Sequence, residues 1–312
     1  MSAGRISDQS RYLGLVPQYN ALLSKQLEKQ REIASGKKYE RADENPLAVS
    51  LADRFHTEDA RLQQNLGNID EVNAFAQTTD TAISSATDTI QRANELAIRG
   101  NDGALSNSDR ENIAAEVDQL LKGLIDLGGQ AHRGRFVFSG TKTTTAAFQA
   151  VTDGTGKVTA VTYNGNSESM AIEFAPQQNI DYNMLGSNEL GGSFGLLRDT
   201  TAGVDLFQNL IDLRDNLTNN PTAIDASVTA LQAALSHLTT AAAQVGGTEV
   251  RMNSAAKLHQ DQQELLASTA SKLEDTDIAS AISELTILQT SYQAALNVGA
   301  RVNQVSLLDF LR

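Results

Sequence analysis

Apolar residues near the start of the chain recur every three or four positions, which is the spacing of one edge of an α-helix. The repeat runs through Leu13, Val16, Asn20, Leu23, Leu27 and Ala34. A proline costs least in the first turn of a helix, so Pro17 predicts that order begins there, with Met1 to Ser10 looser. Ser35-Gly36 ends the predicted helix because glycine readily adopts the left-handed conformation of a helix end.

A longer helical pattern starts at Asn45-Pro46, which has the residues of an N-cap and a first helical position. It continues to Arg99 without another proline, and Gly67 is its weak point. At 1.5 Å per residue such a helix would span roughly 80 Å. The sequence therefore predicts a helical rod.

A third helix is predicted beyond the turn at Gly100 to Gly103. Ser108 to Glu111 has the form of a capping box, in which the Glu111 side chain would bond the Ser108 amide. The amphipathic helix that follows is predicted to end at Gly128-Gly129 and to fold back on the rod.

The pattern changes at Arg135, where short runs rich in Val, Thr, Phe and Tyr replace the helical spacing. These runs lie at 136–138, 148–152, 157–163 and 169–174. Asp153 to Gly156 and Asn164 to Asn166 lie between them as hairpin turn signals. A small β-rich domain is therefore predicted at 135–192.

Helical spacing resumes after the β-rich domain and continues to the end of the chain. The pattern predicts helix from Val204 to Leu217, a restart after Asn220-Pro221, a break at Gly246-Gly247, and helix from Thr248 to Leu273. Beyond Asp275-Thr276-Asp277 the terminal stretch has two apolar seams. One seam comprises Ile278, Ile282, Leu285, Gln289, Tyr292, Leu296 and Gly299, and the other Ala281, Leu285, Leu288, Tyr292, Ala295 and Val302. Two adjoining seams indicate that this helix buries more than one side, which favours self-association.

These patterns predict a mainly α fold, in which both chain ends form an elongated antiparallel helical bundle or coiled coil around a β-rich domain inserted in the middle. The predicted divisions are an N-terminal coiled-coil helix and connector at 1–44, the N-terminal half of a helical rod domain at 45–134, the β-rich domain at 135–192, the C-terminal half of the rod at 193–274, and a C-terminal coiled-coil helix at 275–312.

Composition argues against several classes of partner and site. The net charge of -13 over 312 residues repels nucleic acid and anionic membrane surfaces. With no cysteine, the chain forms neither disulfides nor thiolate metal sites. The sequence contains neither an 18-residue apolar run nor a Sec-type signal pattern, so neither a membrane span nor a cleaved leader is expected.

Candidate catalytic and ligand-binding patterns are weak. The four histidines, His56, His132, His237 and His259, are far apart, and none has the partner at the spacing that an HExxH zinc motif needs. Acidic pairs such as Glu58-Asp59 lie in polar helical stretches, without the apolar pocket that general acid catalysis needs. The sequence predicts no catalytic, cofactor or metal site, and a structural protein in place of an enzyme.

Motifs at both chain ends and at the entry to the β-rich domain follow one another in a characteristic order. They are Arg5-Ile6-Ser7, Ser35 to Lys38, Asp43 to Ala48, Gly134 to Gly140, Leu273 to Asp277, and Ser306 to Leu311. In this order and spacing they closely resemble the bacterial flagellin superfamily, and in detail the hook-associated protein 3 family. The choice within the superfamily rests on Asn45-Pro46, on Asp309-Phe310 and on the short chain with one small β insertion.

The resemblance implies a structural subunit that is exported unfolded by the flagellar type III system to the extracellular flagellum, with a flagellar export chaperone as a partner. It implies a homo-oligomeric ring between hook-associated protein 1 and the flagellin filament, with chain ends that are disordered in the monomer and fold on assembly. Leu13, Val16, Leu23 and Leu27 would then meet Ile282, Leu285, Tyr292, Leu296 and Val302. The expected assembly interface comprises Leu13, Val16, Leu23, Leu27, Ile278, Ile282, Leu285, Leu288, Tyr292, Leu296, Val302, Leu307, Leu308 and Phe310.

Two other interpretations stay open from the sequence. A short flagellin would have the same helices but would form the filament itself, in far more copies than a junction ring. A soluble helical adaptor, whose ends bind a different helical partner, would have ordered chain ends as a free monomer.

Overall fold

A computed structural model describes the backbone of residues 3–192 and 194–310 and the side chains of residues 16–192 and 194–300. The helices are α1 Ala3–Ser35, α2 Pro46–Gly100, α3 Asn107–Gly128, α4 Leu206–Asn219, α5 Ile224–Glu274 and α6 Ile278–Phe310, with a short 3-10 helix at Pro221–Ala223. The strands are β1 Ala131–His132, β2 Arg135–Phe136, β3 Phe148–Thr152, β4 Val158–Tyr163, β5 Ala171–Ala175, β6 Gln178–Asp181, β7 Arg198–Asp199 and β8 Val204–Asp205. The predicted class, mainly α with a small β-rich insertion, is confirmed.

Within the described residues, each strand pairs with its neighbour in the chain. β1–β2, β3–β4, β5–β6 and β7–β8 are separate antiparallel hairpins. In the longest, Phe148 pairs with Tyr163 and the register shifts between Val151 and Thr152. Isolated two-stranded hairpins are marginal in water, so helices must cover their apolar residues.

The chain divides into two compact units. Unit 1 comprises Met1–Arg61 and Asp261–Arg312, and contains α1, α6, the start of α2 and the end of α5. Unit 2 comprises Leu62–Gln260, and contains the rest of α2 and α5 together with α3, α4 and the strands. The five divisions predicted from the sequence stay a prediction.

Unit 2 has a hydrophobic core that combines its helices with the hairpins. The largest fully buried side chains in this core include Leu121 and Leu124 of α3, Phe207 and Leu213 of α4, and Phe138 of the insertion. A smaller cluster joins Phe174 and Ile180 of the β5–β6 hairpin to Ile69, Val72 and Met252 of the long helices. Each such side chain contributes about 1.5–3 kcal/mol when it leaves water, so unit 2 is stabilised by a core of its own.

Several predicted helix ends are confirmed by their hydrogen bonds. The Asn45 carboxamide oxygen accepts the Ala48 amide at 3.1 Å and caps α2. Gly36 ends α1 with φ 73°, and its amide donates to the Glu32 carbonyl at 2.9 Å. A cap that was not predicted is Asp277, whose carboxylate accepts the Ala279 amide at 3.0 Å at the start of α6.

The predicted start of α1 is wrong. The helix begins at Ala3 and passes through Pro17, so residues 3–10 are helical and order does not begin at the proline. A proline inside a helix removes one backbone hydrogen bond and crowds the preceding turn. That cost is local, and favourable helix formers such as Leu, Lys, Gln and Glu continue the helix after it.

The predicted cap of α3 is also wrong, because the N-cap is Ser106 and not Ser108. The Ser106 hydroxyl oxygen accepts the Asp109 amide at 3.1 Å, and the Asp109 carboxylate accepts the Ser106 amide at 3.4 Å. The Arg110 guanidinium, which is buried, donates to the Leu105 carbonyl at 2.9 Å and holds the residue just before Ser106 against the helix. A contact outside the capping pattern therefore favours the first of two similar caps.

The predicted break at Gly246-Gly247 does not occur, because α5 runs unbroken from Ile224 to Glu274. A glycine inside a helix costs about 1 kcal/mol relative to alanine. Val245 and Met252 are buried on either side of the glycines. Tertiary packing therefore holds the helix across them.

Asn164 to Asn166 is not a hairpin turn, since β4 and β5 do not pair. The segment folds over the Tyr163 ring instead, whose hydroxyl lies 3.0 Å from the carbonyl oxygens of Phe138 and Asn166. Burial raises the pKa of this phenol to about 12. A Cβ at Gly165 would lie 2.4 Å from the same hydroxyl, so the close approach requires glycine. The turn at Asp153 to Gly156 is confirmed between β3 and β4.

Candidate assembly interface

α1 and α6 form an antiparallel pair in unit 1. The Tyr19 hydroxyl donates to the Ala295 carbonyl at 2.9 Å, and the Lys29 ammonium lies 2.8 Å from the Glu284 carboxylate. The later residue on α1, Lys29, contacts the earlier residue on α6, Glu284, so the two helices run in opposite directions. These contacts fix which residues of the two helices lie at the same level.

The two helices meet along one seam each, which we call the inner seam. It consists of half-buried Tyr19, Leu22, Gln26, Lys29 and Ile33 on α1, and of Ala281, Leu285, Leu288, Tyr292, Ala295 and Gly299 on α6, of which Ala281 is fully buried. The spacing of three and four residues is that of an antiparallel coiled coil. The second α6 seam of the sequence analysis is thus the one that faces α1.

The predicted α1 seam does not face α6. Val16, Leu23 and Leu27 are 38% to 52% exposed, and Ile278, Ile282 and Leu296 are 41% to 49% exposed. Within one chain these three residues therefore lie beside the inner seam, and their contacts in the assembly stay a prediction. Leu285, Leu288 and Tyr292 are half-buried on the inner seam. The side chains of Leu13, Val302, Leu307, Leu308 and Phe310 lie outside the described residues.

The α1 side of the inner seam is hard to recognise from the sequence because it contains two polar residues. Gln26 and Lys29 occupy inner positions, and the apolar stem of Lys29 packs inward while its charge pairs with Glu32 at 2.7 Å and with Glu284. A search for purely apolar edges therefore selects the neighbouring stripe. Tyr19 and Leu22 were missed for this reason.

The six exposed residues Val16, Leu23, Leu27, Ile278, Ile282 and Leu296 lie on one side of the pair, which we call the apolar face. Successive residues of an α-helix turn by about 100°, which places the α1 members about 100° from the inner seam and the α6 members about 70° from theirs. Because the helices are antiparallel, both displacements turn towards the same side. The pair therefore has a continuous uncovered apolar surface.

The opposite side of the pair has a charged groove of about 630 Å³. Its walls include Lys25, Glu28, Lys29 and Glu32 of α1 and Glu284 of α6, and no member of the apolar face lines it. Partial burial acts to raise the pKa of the Glu32 carboxyl, but hydrogen bonds from Lys29 and Thr276 outweigh it and hold the pKa below its ordinary value. Hydrogen bonds to Glu284 and Glu32 raise the pKa of Lys29.

A short joint closes the base of the pair. The Lys38 amide donates to the Glu274 carbonyl at 2.6 Å, and the Thr276 amide donates to the Gly36 carbonyl at 2.9 Å. The Glu274 carboxylate also lies 3.1 Å from the Lys37 ammonium and 3.0 Å from Nε2 of His56. The two chain segments that enter and leave the pair are thereby bonded to each other.

Among the described residues, no group of three or more His, Asp or Glu side chains is placed to hold a metal ion. No helix in the described part of the chain is both long enough and apolar enough to span a membrane. His237 and His259 are buried, and Nε2 of each lies 2.8 Å from a backbone carbonyl oxygen.

Two family models match the two ends of the chain, which contain the terminal helices and their joint. The model of the bacterial flagellin N-terminal helical region matches residues 14–143, and that of the bacterial flagellin C-terminal helical region matches residues 228–311. The chain belongs to the bacterial flagellin superfamily. The two matches leave out most of the β-rich insertion and α4, so the shared part is the helical frame.

Relatives within this superfamily include both filament and hook-associated proteins. The flagellar filament 30.7 kDa core protein of Treponema maltophilum is 26% identical over 87% of this chain and 86% of its own length. Flagellar hook-associated protein 3 of Salmonella typhimurium is 23% identical over 90% of this chain and 91% of its own. Sequence identity alone therefore does not separate the two kinds.

Solved structures of similar fold include flagellar hook-associated proteins. A putative flagellar hook-associated protein from Vibrio parahaemolyticus matches with a TM-score of 0.65 and 20% identity, over 74% of this chain and all of its own. Hook-associated protein 3 of Legionella pneumophila matches with a TM-score of 0.59 and 15% identity, over 71% of this chain and 98% of its own. The resemblance to the hook-associated protein 3 family is confirmed, and the superfamily member described here has that fold.

Proposed function

We propose that this chain is a structural subunit of the bacterial flagellum and forms the junction ring between hook-associated protein 1 and the flagellin filament. The fold shared with hook-associated proteins supports the kind of subunit. The hook-associated protein 3 of Salmonella typhimurium, which matches over nearly the whole chain, supports the same role.

The apolar face carries the proposal that the chain self-associates. Six large aliphatic side chains remain roughly half exposed when α1 and α6 have already paired. Burial of the exposed parts would contribute on the order of 10 kcal/mol in all, at about 25 cal/mol per Å² of apolar surface. This gain can offset the ordering of chain ends that are weakly held in the free protein.

The proposed interface includes the exposed residues of the predicted set and those on the inner seam. Val16, Leu23, Leu27, Ile278, Ile282 and Leu296 would contact other subunits, whereas Leu285, Leu288 and Tyr292 would hold the pair together. Leu13, Val302, Leu307, Leu308 and Phe310 continue the apolar pattern towards the chain ends. We propose the same burial for them on assembly.

The remaining parts of the proposal follow from the role in the flagellum. The subunit would leave the cell through the flagellar export system with an export chaperone, and it would work outside the cell as a non-enzymatic building block. Export in an unfolded form agrees with chain ends whose cover is supplied only by neighbouring subunits.

A short flagellin is the second candidate. The match to the filament core protein of Treponema maltophilum over most of both chains favours it. The two candidates differ in copy number, because a ring needs few subunits and a filament needs many. They also differ in position along the flagellum.

A labelled antibody against the chain on isolated flagella tests the proposal. We expect a single band of label where the hook meets the filament, and flagella without a filament in cells that lack the gene. Label along the whole filament would instead identify a flagellin. Absence of label from the flagellum would contradict both candidates.

A further inference from the structure

A second uncovered apolar stripe lies on α6, and we call it the rear stripe. Its members are Ile287, Ser291, Ala294 and Val298, which follow a 4-3-4 spacing. Ile287 and Val298 are 63% and 56% exposed, and the two small residues between them are exposed as well. None of the four belongs to the predicted interface. Their heptad spacing was the signal that could have found them.

The rear stripe and the apolar face point in opposite directions from the pair. By helical geometry the rear stripe lies about 110° around α6 from the inner seam, in the sense opposite to Ile282 and Leu296. Ile287 lines the charged groove with Lys25 and Glu28, which confirms the side. One small helical pair therefore leaves two separate apolar surfaces uncovered.

The presence of two opposite apolar surfaces favours one mode of self-association, a heterologous contact, over a two-fold dimer. A two-fold dimer pairs a surface with the same surface of its partner, so one of the two stripes would stay in water. A heterologous contact joins the α1 part of the apolar face of one copy to the rear stripe of the next and covers residues of both surfaces. Repetition of that contact closes a ring or builds a tube.

The α1 part of the apolar face matches the rear stripe in length and in level. Val16 and Leu27 are eleven positions apart, as are Ile287 and Val298, which is about 16 Å of helix in each case. The Tyr19–Ala295 and Lys29–Glu284 contacts set the level of α1 against α6. Counting from them along the antiparallel helices puts Leu27 level with Ile287 and Val16 level with Val298.

The two surfaces also match in size. Leu23 of the apolar face lies level with Ser291 of the rear stripe, and Ala294 follows one turn later. The small side chains of Ser291 and Ala294 leave a hole between the larger Ile287 and Val298, and a leucine side chain such as Leu23 can fill such a hole as a knob. A neighbouring copy moved sideways, without a shift along the helix axis, would bring these partners together.

We infer that adjacent copies associate heterologously, with the apolar face of one copy packed against the rear stripe of the next. The occupant of both surfaces is a second copy of this chain. The inference rests on the proposed ring and names the two surfaces that build it.

Engineered disulfides test this contact, and the natural chain has no cysteine to confuse the result. Cells would carry a variant as their sole copy of the gene, and their isolated flagella would be oxidised mildly and run on a non-reducing gel. Leu27→Cys with Ile287→Cys in one chain should give a ladder of cross-linked oligomers. Val16→Cys with Val298→Cys should do the same, whereas each single variant should stay monomeric.

Two controls sharpen the result. An equal mixture of the Leu27→Cys and Ile287→Cys single variants should stop at dimers, because each copy then has only one cysteine and a bonded pair has none left. Ser24→Cys with Ile287→Cys should give no ladder, since Ser24 lies on the side of α1 away from the inner seam. Its replacement is nearly isosteric and should not disturb assembly.

Dimers from Leu27→Cys alone would indicate a two-fold contact and overturn the inference. A double variant that is present in flagella but forms no ladder would overturn it too. Either result, with antibody label still at the hook–filament junction, leaves the proposed function standing. If the label is absent from flagella, the function fails and the same gel on oligomers of the purified full chain decides the contact.

Discussion

Tyr19 of α1 donates a hydrogen bond to the carbonyl oxygen of Ala295 on α6, at 2.9 Å and 276 positions further along the chain. The same hydroxyl limits the residue at 299, because a Cβ built on Gly299 would lie 2.2 Å from it. A small residue facing a tyrosine thus sets the level of the terminal pair. That level also aligns the apolar face with the rear stripe.

Gly299→Ala should loosen the pair. The new methyl group displaces the Tyr19 hydroxyl and removes its hydrogen bond, which is worth about 1 kcal/mol. We expect faster amide exchange in residues 16–34 and 278–300, with an unchanged melting temperature for unit 2. Tyr19→Phe removes the clashing atom, so Gly299→Ala should have little further effect in that background. Independent, additive effects of the two changes would contradict the contact.

Leu27→Asp should separate assembly from stability. Leu27 is 52% exposed, so we expect the free energy of unfolding of the free chain to change by less than about 0.5 kcal/mol. Incorporation into flagella should nevertheless be lost, because the charge would be buried in the contact between copies. Leu121→Ala is the control with the opposite expectation. It leaves a cavity at a fully buried site and should lower the free energy of unfolding by about 2–5 kcal/mol. Denaturant unfolding and swimming assays measure the two effects, and normal motility with Leu27→Asp would count against the interface.

Ser106→Ala should destabilise unit 2 by about 1 kcal/mol, because it removes the capping box of α3. Ser108→Ala is the control, since that residue lies inside the helix and does not cap it. Chemical denaturation of both variants compares them directly. Equal losses would show that the N-cap has been placed at the wrong serine.

Acid should weaken the terminal pair through Glu32. Its pKa is lowered in the folded chain from an ordinary value of 4.5, so its contribution is fully present above that value and is lost as the pH falls through the lower folded pKa. Protection of the amides of residues 16–34, measured relative to the intrinsic exchange rate at each pH, should therefore decrease below about pH 4.5. Glu32→Gln should flatten this dependence. Glu28→Gln, which changes a carboxylate of the same groove that makes no ion pair within the described residues, should leave it intact.

The sequence predicted the parts of the fold that local chemistry decides. Asn45-Pro46 and Gly36 are read directly as helix ends, because each needs only its own side chain or backbone conformation. Long amphipathic spacing likewise predicted α2 and the existence of α6. These features depend on few distant contacts.

Predictions failed where distant packing chose between equal local signals. Ser106 and Ser108 both start a capping pattern, and the bonds of Arg110 to the carbonyls of Gly100 and Leu105 favour the first. Gly246-Gly247 stays helical because buried residues flank it. On α1 the aliphatic stripe of Val16, Leu23 and Leu27 was the stronger periodic signal. The residues that bond to α6 are Tyr19 and Lys29. The stripe left outside is the surface that assembly would use.

Hydrogen exchange by mass spectrometry, on the free chain and on isolated flagella, tests the central claim that α1 and α6 obtain their full cover only from neighbouring copies. We predict rapid exchange of residues 16–34 and 278–300 in the free chain, against slow exchange in α3 and α4, and strong protection of the same segments in flagella. Equal, strong protection of both segments in the free chain would contradict the account.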